Sequence, residues 1–447
     1  MSQETTTDLY EVTMALSYLQ EGMTRPATFD LLVRDLPPGR GFLVAAGLED
    51  VVDHLTSFRL GPEHIRDFAT ALHRPAADLD PLLGLTFTGD VRAVPEGQVV
   101  LGGEPLLELT APLPVAQLVE SFVLNQISHQ TALASKAARC TLAAQGRPVV
   151  DFSLRRTHGT EAAHHAARAG AIAGFSATSN VAAATALGFP ATGTMAHSYI
   201  EAFGEEEAAF RAFARTHPGP LTLLTDTYQT AQGTHTAARV LRALDVGDGS
   251  AIRIDSGDLA TEAQQARHIL DAYGLGAVRI VASGGLDEYA VDRLVEAGAP
   301  IDVYAVGTRV GVSSDAPALD SAYKLVEYDG QPVMKLSAAK VTDPGRKQIH
   351  RQDGFRDVVA LADEPPVPHS RPLMHPVIRN GVRLGPPPSL RDMRARCAAD
   401  LRTLPDEARR IADPAPLHCS TSLALRELSE RVRQRIQDAF LRPGNGR

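Results

Sequence analysis

Tryptophan is missing from this chain, and cysteine is nearly so, with Cys140, Cys397 and Cys419 the only three. An odd number of thiols at such spacings matches neither a zinc-binding pattern nor a disulfide framework, so reduced cytosolic thiols are expected. No run of about 18 apolar residues occurs, which leaves no candidate for a membrane-crossing helix. The opening MSQETTTDLY is polar and acidic instead of a charged-then-apolar leader. Together these features read as a cytoplasmic protein with no membrane partner. Positive charge is also short: 44 Lys and Arg against 53 Asp and Glu leave a net charge of −9. That balance gives no electrostatic reason to expect a nucleic-acid partner, and it makes any basic residue inside a site informative. The Walker pattern GxxxxGK[ST], the dinucleotide fingerprint GxGxxG and the zincin pattern HExxH are absent, so a phosphate or nucleotide must be held by another route.

What remains is a globular composition: 447 residues, 44% hydrophobic, 22% charged, with 36 glycines and 30 prolines spread along the chain. This length exceeds one ordinary core and predicts two or three packed domains. Three regions are expected. Residues 1–145 carry alternating runs (ATFDLLV, LTFTGDVRAV, QVVLGG, PLLELTAP) and predict a mixed-sheet α/β domain closed by a long helix over about 115–144. Residues 146–335 alternate short β-rich runs with helical stretches, the rhythm of βα units and a parallel sheet. The strands are placed at 148–152, 171–175, 191–195, 221–225, 251–255, 278–282 and 301–305. Seven such units predict an irregular α/β, TIM-like barrel, with an open doubly wound sheet as the alternative. Residues 336–447 are Pro-rich and end in helices near 389–403 and 421–440, either a third unit or an extension returning to the first domain.

In barrel enzymes the loops at the C-terminal strand ends form one cavity, so polar residues recurring there belong together. After the successive strands come Ser153 and Arg155, then Ser176, Thr178 and Ser179, then His197, Asp226, Asp255, Ser283-Gly284-Gly285 and Gly307-Thr308. Helix capping explains single Asp, Ser or Thr residues there, but not an Arg or a His at matching places. In AIRID, alternation puts Arg253 and Asp255 on one strand face. A guanidinium inside a sheet is costly unless an anion or fixed acceptors meet it. Arg253 therefore reads either as half of an ion pair with Asp255 or as a clamp for a flat anionic substrate. The turns around Gly284, Gly285, Gly307 and Thr308 read as phosphate cradles built from backbone N–H groups. Arg346 and Lys347, in DPGRKQIHR, read either as a solvated hairpin or as a polyphosphate grip.

The strings TDLYEVTM, LPPGRGFLVAAGLEDV, DFSLRRTHG, FSATSNVAAA, GTMAHSYIEAF, LLTDTY, IRIDSGDL, ASGGLDE, YAVGTRV, SSDAPALDSAYKLVE and KVTDPGRKQIHR, in this order, resemble the nicotinate phosphoribosyltransferase family. The resemblance implies a type II phosphoribosyltransferase of NAD biosynthesis, with an N-terminal domain beside the barrel and a homodimer sharing its active sites. It implies nicotinate, phosphoribosyl pyrophosphate and ATP as substrates and Mg2+ as cofactor. Carried over by block, His197 becomes the histidine phosphorylated by ATP. Phe152, Arg155 and Arg253 hold the pyridine ring, with Thr194 beside it and Tyr10 reaching it from the partner subunit. Asp226 and Asp255 become the acids around the ribose and the metal, and Gly284, Gly285, Gly307 and Thr308 become the 5-phosphate cradle. Ser179 aligns where the nicotinamide-using sister family resembles FKGTDTVA, which makes it a candidate for choosing acid over amide. Ser153 departs from the glycine expected in DFGLRR. The alternatives are a nicotinamide or quinolinate phosphoribosyltransferase, or a catalytically silent nucleotide-binding barrel.

Overall fold

The computed structural model describes residues 3–336 and 342–441, so Lys340 of the KVTDPGRK block lies outside the described residues. Contacts divide the chain into two units. Unit 1 takes the described residues within 1–132, 318–410 and 414–447, and unit 2 takes 133–317 and 411–413. No helix among the described residues is long and apolar enough to cross a membrane.

Unit 1 is built on a seven-stranded antiparallel sheet. Within it, Pro26–Val33 pairs on one side with the middle strand, Pro105–Pro112, and on the other with Ser321–Tyr328. The last strand falls inside the region expected to belong to the barrel. Its antiparallel partner lies almost 300 residues earlier, which local periodicity cannot reveal. The expected long helix appears as Leu113–Leu118 followed by Glu120–Ala143. Near the C-terminus, Leu390–Thr403 and Leu423–Leu441 form the two expected helices.

Unit 2 holds a six-stranded, wholly parallel sheet. Its spatial order is Ala177–Thr178, Val149–Asp151, Val303–Val306, Arg279–Ala282, Ala251–Ile254 and Thr222–Leu224. Both faces are covered, so Ile252, Ile254, Ile280, Tyr304 and Val306 are all fully buried. The sheet is a parallel half-barrel. Its end strands are not paired with each other among the described residues, so the full ring expected from the sequence is not seen. Two of the expected strands account for the difference. AIAGF is not a strand: its first three residues end the helix Thr160–Ala173, and the pairing falls instead on Ala177–Thr178. The alanines of TEAAHHAARAGAIA favour helix over the apolar run's β character. Gly174, at φ 111°, ends that helix, with its N–H and that of Phe175 donating to the carbonyls of Ala171 and Gly170. The run ATGTM, following Pro190, contributes only the bridge between Thr178 and Ala191.

A buried charge cluster anchors the helix Glu288–Glu296. Lys136 Nζ lies 2.6 Å from Glu288 and 2.8 Å from Asp315, and Arg139 Nε lies 3.1 Å from the other Glu288 oxygen. Lys136, Arg139 and Glu288 are at most 1% exposed. Removing one member of such a cluster leaves charge buried without a partner. Glu288→Ala is therefore expected to cost about 3–5 kcal/mol, seen as a lower urea midpoint. A midpoint equal to that of the parent protein would show that the cluster relaxes or hydrates at little cost.

Candidate active site

The C-terminal ends of the parallel strands converge on one set of polar side chains. Asp151 closes Val149–Asp151 and is spent on structure: its carboxylate accepts from Ser153 N–H at 2.9 Å and from Thr178 Oγ at 2.6 Å, tying two neighbouring loops together. Ser153 is fully buried with its hydroxyl unpartnered, so the position tolerates the extra atoms over glycine without using them. Phe152 follows, its N–H on the Val306 carbonyl at 2.7 Å, which fixes the ring at the mouth of the sheet.

Arg253 occupies the centre of Ala251–Ile254, the one strand residue there that is not fully buried. Its guanidinium lies 6.0 Å from the Phe152 ring centroid, and Nη1 donates to Thr194 Oγ at 2.6 Å. Nε is buried without a partner. No carboxylate of the described residues lies within ion-pair distance, so the expected alternative, a structural pair with Asp255, does not form. Burial disfavours its charge, with Asp255 and Asp226 acting against that from further away. A cation in this state, over an aromatic ring and with an unpartnered donor, has the chemistry to meet a flat anion. Arg155, exposed in the turn Leu154–Arg156, adds a second positive charge near it.

The acids are positioned by a hydroxyl network. Asp226, 9% exposed, accepts on Oδ2 from Asp255 N–H at 2.9 Å and from Ser256 Oγ at 2.6 Å, while its Oδ1 is buried and unpartnered. Asp255 accepts from Ser283 Oγ on one oxygen and turns the other toward His197 Nε2, 3.9 Å away. His197 opens the helix His197–Phe203. Its Nδ1 pairs with Thr227 Oγ at 3.2 Å, and its side chain is 38% exposed, so the ring is oriented yet reachable. Burial, and then the charge of Asp226, hold Glu206 above the usual carboxylate range. Thr227 and Ser256 were not singled out from the sequence, and Ser283 was read there only as part of a glycine turn, not as a partner of Asp255. Hydroxyl residues after strands are so common as helix caps that their type carries no signal.

Gly284 and Gly285 follow Arg279–Ala282 at φ 94° and 67°. A Cβ on Gly284 would stand 1.9 Å from the Asp255 carbonyl, so glycine lets this turn press against the neighbouring loop. Gly307 and Thr308 follow Val303–Val306, and Thr308 is exposed. Ser179 donates its N–H to the Asp151 carbonyl at 2.8 Å. The cap of the helix Val181–Leu187 is Asn180, not Ser179, so no capping role occupies the Ser179 hydroxyl.

The structure brings Phe152, Arg155, Ser179, Thr194, His197, Asp226, Arg253, Asp255 and the four cradle residues into unit 2. Tyr10, Arg346 and Lys347 fall in unit 1. Tyr10 is half-exposed in the first turn of Leu9–Gln20, where burial and the nearby Glu120 push its hydroxyl pKa up. Lys347 is neither on a solvated hairpin nor open to a polyphosphate. It is 4% exposed, with Nζ 2.7 Å from both Asp30 and the Gly345 carbonyl. Arg346 sits on Glu108 at 3.3 Å. Both cations are engaged by partners of their own unit.

Comparison with known proteins points to one family. Three family models match in order: the nicotinate phosphoribosyltransferase N-terminal domain at residues 5–128, the nicotinate phosphoribosyltransferase family at 148–358, and its C-terminal domain at 368–429. A nicotinate phosphoribosyltransferase of Mycobacterium tuberculosis is 46% identical over 411 residues, covering 91% of this chain and 89% of its own length. The crystal structure of human nicotinic acid phosphoribosyltransferase superposes with a TM-score of 0.83 at 30% identity, over 96% of this chain and 99% of that one. The nicotinate-nucleotide pyrophosphorylase of Pyrococcus furiosus follows at a TM-score of 0.75 and 26% identity, covering 90% and 95% of the two chains. With matches of this extent along the sequence and in the fold, the chain belongs to the nicotinate phosphoribosyltransferase family.

Proposed function

We propose that this protein transfers the phosphoribosyl group of phosphoribosyl pyrophosphate to nicotinate, coupled to ATP through a phosphohistidine at His197. The balanced reaction takes nicotinate, phosphoribosyl pyrophosphate, ATP and water to nicotinate mononucleotide, pyrophosphate, ADP and phosphate. The observation that carries this reading is Arg253, a largely buried guanidinium without a carboxylate partner, stacked on Phe152 beside Thr194. Nicotinate is flat and anionic, the chemistry that this set of groups can meet. Held there, its ring nitrogen is presented to C1 of the ribose, and orientation of this kind contributes several kcal/mol to a bimolecular step (roughly 7–11 at the upper end). The bond to pyrophosphate breaks as the ring nitrogen attacks, and Asp255 and Asp226 are assigned as the acids around the ribose hydroxyls and the metal.

Two carboxylate oxygens of these acids that accept no hydrogen bond, one of them facing His197, suit a Mg2+ ion. Asp226 Oδ1 is buried without a partner, and one Asp255 oxygen is left over by Ser283. Among the described residues no cluster of three or more His, Cys, Asp or Glu could cage a metal alone. Magnesium commonly uses one or two carboxylates and completes its shell with water and substrate phosphates. When bound, the ion would supply charge neutralisation to the departing pyrophosphate. We place Tyr10 as an aromatic contact contributed across a homodimer, as the family resemblance implies, and the protein in the cytoplasm.

Incubating the purified protein with ATP, magnesium, phosphoribosyl pyrophosphate and each of nicotinate, nicotinamide and quinolinate tests the reaction. Nicotinate mononucleotide should form from nicotinate alone. Product from nicotinamide or from quinolinate instead would replace this reading with one of the sister activities, and no product from any of the three would leave a silent binding protein.

The choice of acid over amide gives a further prediction. Ser179 keeps a free hydroxyl near the loop of Asp151, whereas a carboxylate there would repel the carboxylate of nicotinate in a partly desolvated pocket. Ser179→Asp is expected to lower kcat/KM for nicotinate at least ~10-fold, the effect of ~1.4 kcal/mol. Nicotinamide use should fall less, or rise. An equal loss with both pyridines would mean that Ser179 supports the loop without reading substrate charge.

A further inference from the structure

We propose that Arg309 is a phosphate-binding residue of this site, held in place by Asp287; the proposal rests on the phosphoribosyl-transfer reading above. Arg309 follows Thr308 directly, and Asp287 lies two residues after Gly285. The two residues belong to the loops after Val303–Val306 and Arg279–Ala282, adjacent parallel strands in register at Val281 and Val303. Arg309 Nη1 reaches Asp287 Oδ2 at 2.6 Å, so a guanidinium spans the two glycine turns expected to cradle the 5-phosphate. Asp287 is itself fixed. Its other oxygen accepts from Ala290 N–H at 2.9 Å as the cap of Glu288–Glu296, the helix whose first residue is locked by Lys136 and Arg139.

Charge decides what this strap can do. Across SGGLDE and VGTRVG the charged residues are Asp287, Glu288 and Arg309. Glu288 is fully buried and spent on its two cations. Without Arg309 the two turns would offer a dianionic phosphate backbone N–H groups beside an uncompensated aspartate. With it, Asp287 is neutralised. The Arg309 side chain remains 52% exposed, and its Nε and Nη2 have no partner among the described residues. A guanidinium fixed by a carboxylate on one nitrogen and open on the others is pre-organised for a phosphate, because little rotamer freedom is lost when the ligand arrives.

Isothermal titration with ribose 5-phosphate, the donor without its pyrophosphate, tests this on the parent protein, Arg309→Gln and Arg309→Lys. Arg309→Gln should bind about 10-fold or more weakly, the loss of a charge-assisted hydrogen bond. Its KM for phosphoribosyl pyrophosphate should rise in parallel while KM for nicotinate stays as in the parent, and Arg309→Lys should recover part of the loss. Parent-like ribose 5-phosphate binding by Arg309→Gln would overturn the proposal, as would a fall in nicotinate affinity of the same proportion. Failure of the parent protein to bind ribose 5-phosphate would remove the phosphate site from these turns altogether. Failure to form nicotinate mononucleotide would instead sink the underlying reaction.

Discussion

Arg253→Ala should lower kcat/KM for nicotinate by about 100-fold, or ~2.7 kcal/mol. The estimate follows from what the residue supplies. A charge-assisted hydrogen bond to a carboxylate contributes about 1.5–3 kcal/mol, and a guanidinium can make two in parallel. Some of that is offset, because the variant no longer has to bury an unpaired cation that is costly in the free enzyme. Arg253→Lys should recover little, since an ammonium can neither stack on Phe152 in the same way nor present a planar fork. The loss should appear in KM for nicotinate and in kcat together, while affinity for ribose 5-phosphate, whose site is built from other loops, changes far less. Steady-state kinetics with each substrate varied in turn makes the comparison. A variant with the parent KM for nicotinate would move the pyridine away from this strand.

That Arg253 was legible at all comes from its setting. A charged residue in an otherwise apolar strand flanked by two buried isoleucines has few cheap explanations, and alternation set its direction. The strands Val149–Asp151, Thr222–Leu224, Ala251–Ile254, Arg279–Ala282 and Val303–Val306 were legible for the same reason: each lies in or beside an apolar run bounded by turn residues. AIAGF misled because helix and buried strand share an apolar composition, and only the alanine-rich stretch before it tips the balance. The return of Ser321–Tyr328 to Pro26–Val33 could not be read, since pairing across such a separation leaves no local trace. Nor could the network of Thr227, Ser256 and Ser283, which exists only through distances between loops. Lys347 shows the converse. Its place in a basic run suggested a ligand, yet its buried partner, Asp30, is remote in sequence and answers that charge inside unit 1.

His197→Ala should abolish ATP-linked turnover and leave slow, ATP-independent formation of nicotinate mononucleotide. The groups proposed to hold the pyridine, Arg253, Phe152 and Thr194, make their contacts to one another without His197, so the bond-forming step should retain its orientation. What the variant loses is an imidazole held through Nδ1 by Thr227 and set 3.9 Å from Asp255, accessible enough to receive a phosphoryl group. In the proposed cycle ATP transfers its terminal phosphoryl to this ring, ADP leaves, and water later cleaves the phosphohistidine to phosphate. Removing the ring therefore removes ADP and phosphate release together. Thr227→Val keeps the imidazole but frees its orientation, and should fall between the two, with ADP formed per mononucleotide reduced but not absent. Measuring ADP and nicotinate mononucleotide in the same reaction mixtures gives this ratio directly. If His197→Ala still released ADP in step with product, the phosphoryl acceptor would be another residue, and the exposed, hydroxyl-tethered histidine would serve only to steer Asp255.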